Sequence, residues 1–301
     1  MPPLKDERPF CPGHRLGEHP LPGLLPLPDR PAHLDLGAGL GHFLETMAAR
    51  EPQVNWVGLE CDGPILRRAA RRVRRAGAGN TLLFALGARP FLLEGVPPEG
   101  LDHIWINFPD PWPKKKHAPR RHAHPWMLGL LASRLRVGGE LHLATDVASF
   151  AAQMTANLAQ LPAMTPAPHS PWRRESLGVQ TKYERKWQRL ERPIHYADWR
   201  KTRPTPLDHY PFEWRPDPRL QCSRLPGKQF RSQGQYAVKI FAPHRRAPLR
   251  AGVVLIDRQT GITTAGVIDA QAQTVQLNGA WTPWKIDLLQ PLLRQPTPKG
   301  D

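Results

Sequence analysis

The stretch "HLDLGAGLGHFLETMAAR" (residues 33–50) decides the fold class. It predicts a short buried strand, a glycine-rich turn and a helix, in that order. Glycines between a strand and a helix let the backbone turn sharply and approach a ligand closely. Such a unit is typical of a parallel sheet that binds a nucleotide-like ligand where its strands end.

Similar units follow along the chain. Strands are predicted at 55–60, 81–86, 101–108 and 139–146, and helices at 63–77, 125–139 and 147–161. Strands and helices that alternate at this spacing predict an α/β fold, a Rossmann-like sheet with helices on both faces. We expect residues 32–202 to form this domain, after an irregular, proline-rich arm at residues 1–31.

The character of the sequence changes after Trp199. Residues 203–226 hold six prolines, which predicts a linker. Short strands are then predicted at 234–242, 251–257, 262–269 and 274–279. Residues 203–301 are therefore expected to form this linker and a small, basic, β-rich C-terminal domain.

Composition points to an anionic partner. The 301 residues carry 42 Lys and Arg against 26 Asp and Glu, a formal charge of +16, and residues 201–301 carry 15 against 7. That excess is typical of nucleic-acid binding. Three widely spaced cysteines support neither a disulfide framework nor a zinc site, and no stretch approaches the ~20 apolar residues of a membrane span. We expect a cytoplasmic protein with no membrane partner and no metal, and the sequence leaves monomer or homodimer undecided.

The glycine-rich turn favours S-adenosylmethionine over a dinucleotide. Gly37 and Gly39 form the turn, and Glu60 ends the next strand, where it can accept hydrogen bonds from ribose hydroxyls. His42 occupies the place of the third glycine that packs beneath a pyrophosphate. The carboxylate of Asp35, just before the turn, suits an α-amino group and a sulfonium and would repel a pyrophosphate. A capping or turn role for Asp35 stays open.

A second stretch, "NFPDPWPKKKHAPRR" (residues 107–121), is more specific. Together with "DLGAGLGHFL", "WVGLE", "GGELHLATD" and "TKYERKW", it resembles the bacterial tRNA (guanine-N7-)-methyltransferase family over residues 33 to about 200. The resemblance implies transfer of a methyl group from S-adenosylmethionine to N7 of the variable-loop guanine of tRNA, a tRNA (guanine(46)-N(7))-methyltransferase activity in tRNA modification.

The resemblance also implies site residues. It places Asp110 at the reacting centre, the cofactor contacts on Asp35, Gly37, Gly39, Glu60, Gly87 and Asp110, and the tRNA contacts on Lys114, Asp146, Thr181 and Glu184. Two of them depart from the family pattern. Asp35 stands where the family usually has Glu, and Gly87 where it usually has Asp or Asn, so S-adenosylmethionine binding is expected to be weakened at Gly87.

The chemistry is consistent with a carboxylate held between two prolines. N7 of guanine carries an in-plane lone pair and no proton, so its methylation needs alignment rather than a base. Asp110 is expected to accept the guanine N1–H and N2–H and to stabilise the positive charge that develops on the purine. Pro109 and Pro111 restrict the backbone on either side of it. The basic run from Lys114 to Arg121 is expected to contact phosphates.

Two other interpretations remain open. "NFPD" (residues 107–110) is similar to the Asn-Pro-Pro-aromatic motif of enzymes that methylate exocyclic amines. A tRNA-binding protein that kept the fold and lost turnover is the non-enzymatic alternative, motivated by Gly87. Detection of the methylated atom separates the first from N7 transfer, and S-adenosylmethionine binding separates the second.

Overall fold

The structure is a computed structural model. It describes residues 10–11, 20–110, 122–170, 182–205, 225, 228–241, 243, 248–257, 262–277 and 283–294. Two compact units divide these residues. The first contains the described parts of 1–11, 21–88 and 96–211, and the second those of 12–20, 89–95 and 212–301. The domain bounds expected from the sequence stay a prediction.

An eight-stranded sheet forms the centre of the first unit. Its strands are β1 (Phe10–Cys11), β2 (Ala32–Leu36), β3 (Asn55–Leu59), β4 (Thr81–Phe84), β5 (Leu101–Asn107), β6 (Leu135–Thr145), β7 (Met164–Pro166) and β8 (His195–Lys201), in the order β1-β4-β3-β2-β5-β6-β8-β7. Strands β1 to β6 pair in parallel, and β8 pairs antiparallel with both β6 and β7. The predicted α/β class is confirmed. Strand β1 shows that the expected arm also contributes to the sheet.

Five helices accompany this sheet: α1 (His42–Arg50), α2 (Gly63–Arg75), α3 (Pro125–Arg134), α4 (Ala148–Ala159) and α5 (Lys182–Arg189). Helix α2 shows why they form where they do. Asp62 caps its first turn by accepting from the Ile65 amide at 2.9 Å. Its buried face is Leu66, Ala69, Ala70 and Val73, and arginines fill the solvent side. A Cβ at Gly41 would lie 3.0 Å from Ala69 Cβ, so only glycine lets α1 begin this close to α2.

Helix α3 ends earlier than the sequence suggests. The pattern predicts a helix to Gly139, but the helix ends at Arg134 and β6 begins at Leu135. Leu135 is extended (ψ 135°) and pairs with Leu101 of β5, and the register shifts before Glu140 pairs with His103. The two glycines therefore belong to an irregular part of the strand, where Gly138 has a φ of +84°.

The second unit contains a five-stranded antiparallel sheet. Its strands are β9 (Gln229–Gln233), β10 (Tyr236–Ile240), β11 (Arg250–Asp257), β12 (Ile262–Asp269) and β13 (Thr274–Leu277), in the order β13-β12-β11-β10-β9. Helix α6 (Pro283–Arg294) places Leu289 and Leu292 in the same core as Val253 and Leu255 of β11. The β-rich character is confirmed, while α6 was not predicted, and it contains a proline, Pro291, of a kind that usually interrupts a helix.

The π-helical turn Phe91–Gly95 also belongs to the second unit, and the short helical turn Ala88–Pro90 precedes it at the boundary between the units. Within that unit Lys285 of α6 donates to Glu94 at 2.6 Å, and both side chains are buried. Burial lowers the pKa of Lys285, and the Glu94 carboxylate opposes that shift. Among the helices of the described residues none is long and apolar enough to cross a bilayer.

Candidate active site at the carboxyl ends of the parallel strands

The glycine-rich turn follows β2 and contacts the end of β3. Gly37 and Gly39 have φ values of +90° and +53°, a region that favours glycine. The amides of Gly37 and Ala38 both donate to the Leu59 carbonyl, at 3.0 and 2.7 Å. A Cβ built on Gly37 meets no atom within 4 Å, so the space beside this turn is open to a ligand.

Glu60 joins this turn to the end of β3. Its Oε2 accepts from the Gly39 amide at 3.2 Å, and its Oε1 accepts from the Asp62 amide at 2.9 Å. Each carboxylate oxygen has two lone pairs, so each retains one for a further donor. The carboxylate is thus held in one orientation beside the turn, as an acceptor of ribose hydroxyls has to be.

Asp35 and Asn107 meet at the ends of the two central strands. Asp35 pairs in register with Trp105, two residues before Asn107, and its side chain is only 1% exposed. Asn107 Nδ2 donates to Asp35 Oδ1 at 3.3 Å. Asn107 Oδ1 is buried and has no hydrogen-bond partner within the described part of the chain. A buried acceptor without a partner costs about 1–3 kcal/mol, which a ligand donor would recover.

These groups fit S-adenosylmethionine. The Asn107 oxygen and the Asp35 carboxylate offer acceptors to an α-ammonium group, Glu60 offers acceptors to ribose hydroxyls, and the space beside Gly37 is open. Sequence reasoning considered Asn107 only for the exocyclic-amine interpretation and did not include it among the cofactor contacts. Its position as the last residue of the strand beside Asp35 was the signal that could have identified it.

The chain leaves β5 in a strained conformation. Phe108 has a φ of +49°, which a side chain with a Cβ rarely adopts, and its amide donates to the Ala144 carbonyl of β6 at 2.8 Å. Strain of this kind costs on the order of 1–3 kcal/mol and is concentrated at functional sites. Asp110 follows two residues later and is exposed. Lys114 and Thr181 lie outside the described residues.

The remaining predicted residues follow neighbouring strands. Gly87 lies three residues after β4 and is exposed, and Asp146 directly follows β6 and is half-buried. Because parallel strands end at one edge of the sheet, Asp35, Glu60, Gly87 and Asn107 share that edge. The roles of all these residues stay predictions.

Glu184, a predicted tRNA contact, occupies a buried position. Its side chain is 2% exposed and accepts from the Tyr196 hydroxyl at 3.3 Å. Tyr196 pairs with Ala144 near the end of β6. In this structure Glu184 is therefore a buried acceptor near the end of β6, rather than an exposed side chain.

A buried row of titratable groups lies on the sheet face that also carries Asp35. His103 Nδ1 and His142 Nε2 are 3.3 Å apart, and His142 Nδ1 is 3.0 Å from Asp198 Oδ1. Trp105, which pairs in register with both Asp35 and His142, stacks on the His142 ring with centroids 3.9 Å apart. Burial lowers the pKa of His103 to about 2, so this imidazole is neutral at physiological pH.

His103, His142 and Glu140 are close enough together to hold a metal ion. Hydrogen bonds already engage all three, because His103 is bonded to His142. Glu140 accepts two bonds from Arg200, at 2.9 and 2.6 Å, and one from Ser170, while His142 is bonded to Asp198. The described contacts of this cluster are those of a polar network in a protein core.

A groove of about 950 Å³ lies between α4 and β8. Alanines of α4 and the β8 residues from His195 to Trp199 line it. None of the predicted site residues is among its lining residues. The candidate active site is therefore the edge that carries Asp35, Glu60 and Asn107, where glycines and hydrogen-bonding groups converge.

Comparisons with known proteins identify the family of the chain. A family model described as "Putative methyltransferase" matches residues 29–197. The tRNA (guanine-N(7)-)-methyltransferase of Microcystis aeruginosa is 34% identical over 176 residues, which cover 57% of this chain and 83% of that protein. The enzyme of that name from Deinococcus radiodurans is 34% identical over 191 residues, 62% of this chain and 57% of its own.

A solved structure of an rRNA methylase from Streptococcus thermophilus is also similar, with a TM-score of 0.40 at 17% identity, over 63% of this chain and 94% of that one. A similarity at this TM-score and identity does not indicate a function. The matches in sequence are stronger, because the family model spans more than half of the chain and most of the Microcystis protein is covered. The chain belongs to the tRNA (guanine-N(7)-)-methyltransferase family.

Proposed function

We propose that this protein transfers a methyl group from S-adenosylmethionine to N7 of the variable-loop guanine of tRNA, in the cytoplasm. The observation that carries the proposal is the 34% identity to a tRNA (guanine-N(7)-)-methyltransferase over 83% of that protein. The site adds independent support, because Asp35, Asn107 and Glu60 present acceptors beside an open glycine-rich turn.

S-adenosylmethionine supplies the electrophilic methyl group when bound. Asp35 and Asn107 orient its amino-acid end, and Glu60 its ribose. The hydrogen bond between Asp35 and Asn107 matters because it fixes the amide with its oxygen as the remaining acceptor. These groups are in place before the ligand arrives, so little ordering is required on binding.

Asp110 acts on the base. Its carboxylate accepts the guanine N1–H and N2–H, which aligns N7 with the methyl group and stabilises the charge that develops on the purine. N7 bears no proton, so no general base is needed. The turn at Phe108 directs the Pro109–Asp110 segment away from β5. Lys114, Asp146 and Thr181 are the proposed tRNA contacts, and Glu184, whose side chain is buried, is proposed to act through the Tyr196 hydroxyl that donates to it.

The test is incubation of unmodified tRNA with radiolabelled S-adenosylmethionine, followed by chemical cleavage at 7-methylguanine. Cleavage within the variable loop is the expected result. Label on an exocyclic amine would instead support the interpretation based on "NFPD", since the buried Asn107 oxygen also suits an amine donor. Bound S-adenosylmethionine without any transfer would support the tRNA-binding alternative.

A further inference from the structure

The five-stranded sheet of the second unit has one covered and one open face. Val238 and Ile240 of β10 point into the core that contains Leu289 of α6. Side chains alternate along a strand, so Lys239 points to the other face. Phe230 of β9 lies directly opposite Lys239 in the antiparallel register. The open face is defined here by Phe230, Lys239, Phe241 and Val267.

Its apolar side chains are unusually exposed. Phe230 is 59% exposed, Phe241 40% and Val267 43%. Phe241 packs beside Gly252, where a Cβ would be in van der Waals contact with the ring, 3.4 Å from Phe241 Cδ2. Val267 is the partner of Gly252 on β12. Phe241 and Val267 therefore flank one glycine and form a continuous apolar surface.

A cation lies over one of the aromatic rings. Lys239 Nζ is 5.0 Å from the centre of the Phe241 ring, within the distance of a cation–π contact. Phe230 is the cross-strand partner of Lys239 in the sheet register. An open sheet face that carries aromatic rings and a cation is the arrangement on which unpaired nucleobases stack.

The exposed charges of this part of the second unit have one sign. The exposed charged side chains within 228–241, 248–257 and 264–277 are all cationic: Lys228, Arg231, Lys239 and Arg250. The acids of the same strands, Asp257 and Asp269, are buried. Asp269 accepts from Arg250 at 2.7 Å and from the Ala272 amide, which holds its pKa below the ordinary value. A polyanion therefore meets cations here and no exposed carboxylate among these described residues.

We infer that the open face binds unpaired nucleotides of the tRNA substrate, with bases stacked on Phe230 and Phe241 and a phosphate near Lys239. The inference rests on the proposed function for the identity of the RNA. A second copy of this chain is a poorer occupant, because each copy carries a formal charge of +16 and the surface itself is cationic. The second unit thereby adds RNA contacts to those of the methyltransferase site.

The experiment measures tRNA binding by the full chain with Phe230→Ala, Phe241→Ala and Lys239→Gln. Each Phe variant is expected to weaken binding at least fivefold with an unchanged salt slope, since a stacked base contributes about 1–3 kcal/mol. Lys239→Gln should lower the slope of log K against log salt by about one. Val137→Ala, an exposed apolar position of the first unit, is the matched control and should bind as wild type.

Methylation separates this inference from the proposed function. At saturating tRNA the Phe variants should keep the wild-type kcat and show a raised KM. Binding within twofold of wild type by both Phe variants would overturn the inference and leave N7 methylation intact. A change of molar mass by light scattering in the RNA-free Phe variants would overturn it too, because the face would then join copies of the chain. If the wild-type protein methylates no N7 but its tRNA binding still depends on Phe230, the proposed function fails and this inference stands.

Discussion

The side-chain amide of Asn107 donates to the carboxylate of Asp35 across two neighbouring parallel strands, at 3.3 Å. This bond leaves the Asn107 oxygen buried as an acceptor for the ligand. Asn107→Ala should therefore weaken S-adenosylmethionine binding by about tenfold or more, since a hydrogen bond to a charged group is worth about 1.5–3 kcal/mol. Calorimetric titration measures it. Asn157→Ala, which loses a bond to the Ala123 carbonyl, is the control. Equal affinity of Asn107→Ala and wild type would exclude Asn107 from the cofactor site.

Gly87 is expected to be the weak point of cofactor binding. Its backbone is not in the left-handed region, and the residue is exposed, so an ordinary side chain can be placed there. Gly87→Asn restores the residue type that the family usually has. One added hydrogen bond of about 0.5–1.5 kcal/mol should tighten S-adenosylmethionine binding by two- to tenfold. Gly79→Asn, at an exposed glycine without a positive φ, is the control. An affinity that is unchanged or lower in Gly87→Asn would show that this position does not face the ligand.

Phe108 combines an unfavourable backbone conformation with a position next to Asp110. Glycine adopts a φ of +49° freely, whereas alanine pays about 1 kcal/mol. Phe108→Gly should therefore be more stable than Phe108→Ala by about 1 kcal/mol in urea unfolding, the reverse of the usual order. The Gly variant should also have the lower kcat, because a freer backbone no longer holds Asp110 in place. Greater stability of the Ala variant would mean that the turn is not strained.

Asp110 is expected to act in the chemical step and not in tRNA binding. Asp110→Asn keeps the shape and loses the negative charge that stabilises the methylated purine. We expect kcat to fall by at least a hundredfold, about 2.7 kcal/mol, with tRNA affinity within threefold of wild type. Single-turnover methylation and filter binding provide the two readouts. Asp29→Asn, at an exposed carboxylate outside the predicted site, is the matched control and should keep the wild-type kcat and tRNA affinity. A near-normal kcat for Asp110→Asn would show that Asp110 does not act in the chemical step.

The sequence alone was sufficient to predict those elements that a local residue pattern determines. The glycine-rich turn around Gly37 and helix α2 each follow from a local residue pattern, and both were predicted. Pairing between distant strands has no such local signature. For that reason the contact of Asn107 with Asp35, 72 residues apart in the chain, was not foreseen. Strand β8 was missed because its residues, HYADWRK, do not alternate between apolar and polar types.

The histidine row was also beyond sequence reasoning. His33, His103 and His142 are 70 and 39 residues apart in the chain, and only the order β2-β5-β6 brings them together. Once buried, they have a consequence for stability. Burial lowers the pKa of His33 to about 3 and that of His103 to about 2, against about 6.5 in an unfolded chain. Below pH 6.5 the unfolded chain therefore takes up protons that the folded protein does not.

Each such histidine lowers the free energy of unfolding by about 1.4 kcal/mol per pH unit as the pH falls below 6.5. Glu51, 3.6 Å from His33, opposes this, because burial raises its pKa to about 7 and the folded state binds its proton first. For His103, burial and the charges of His33, His142, Arg136 and Arg200 all act in one direction and lower its pKa. It should therefore dominate the acid destabilisation of the first unit.

Replacement of His103 tests this directly. Between pH 6.5 and pH 5, the free energy of unfolding of His103→Gln should fall by about 2 kcal/mol less than that of wild type. At pH 6.5 the variant should be less stable than wild type, because the bond to His142 changes. Urea unfolding at four pH values, followed by tryptophan fluorescence, gives the slopes. The exposed His169 supplies the control variant, His169→Gln, which should keep the wild-type slope. If the free energy of unfolding falls equally with pH in His103→Gln and in wild type, His103 has the same pKa in the folded and unfolded states. Only a pKa difference between those states makes stability depend on pH.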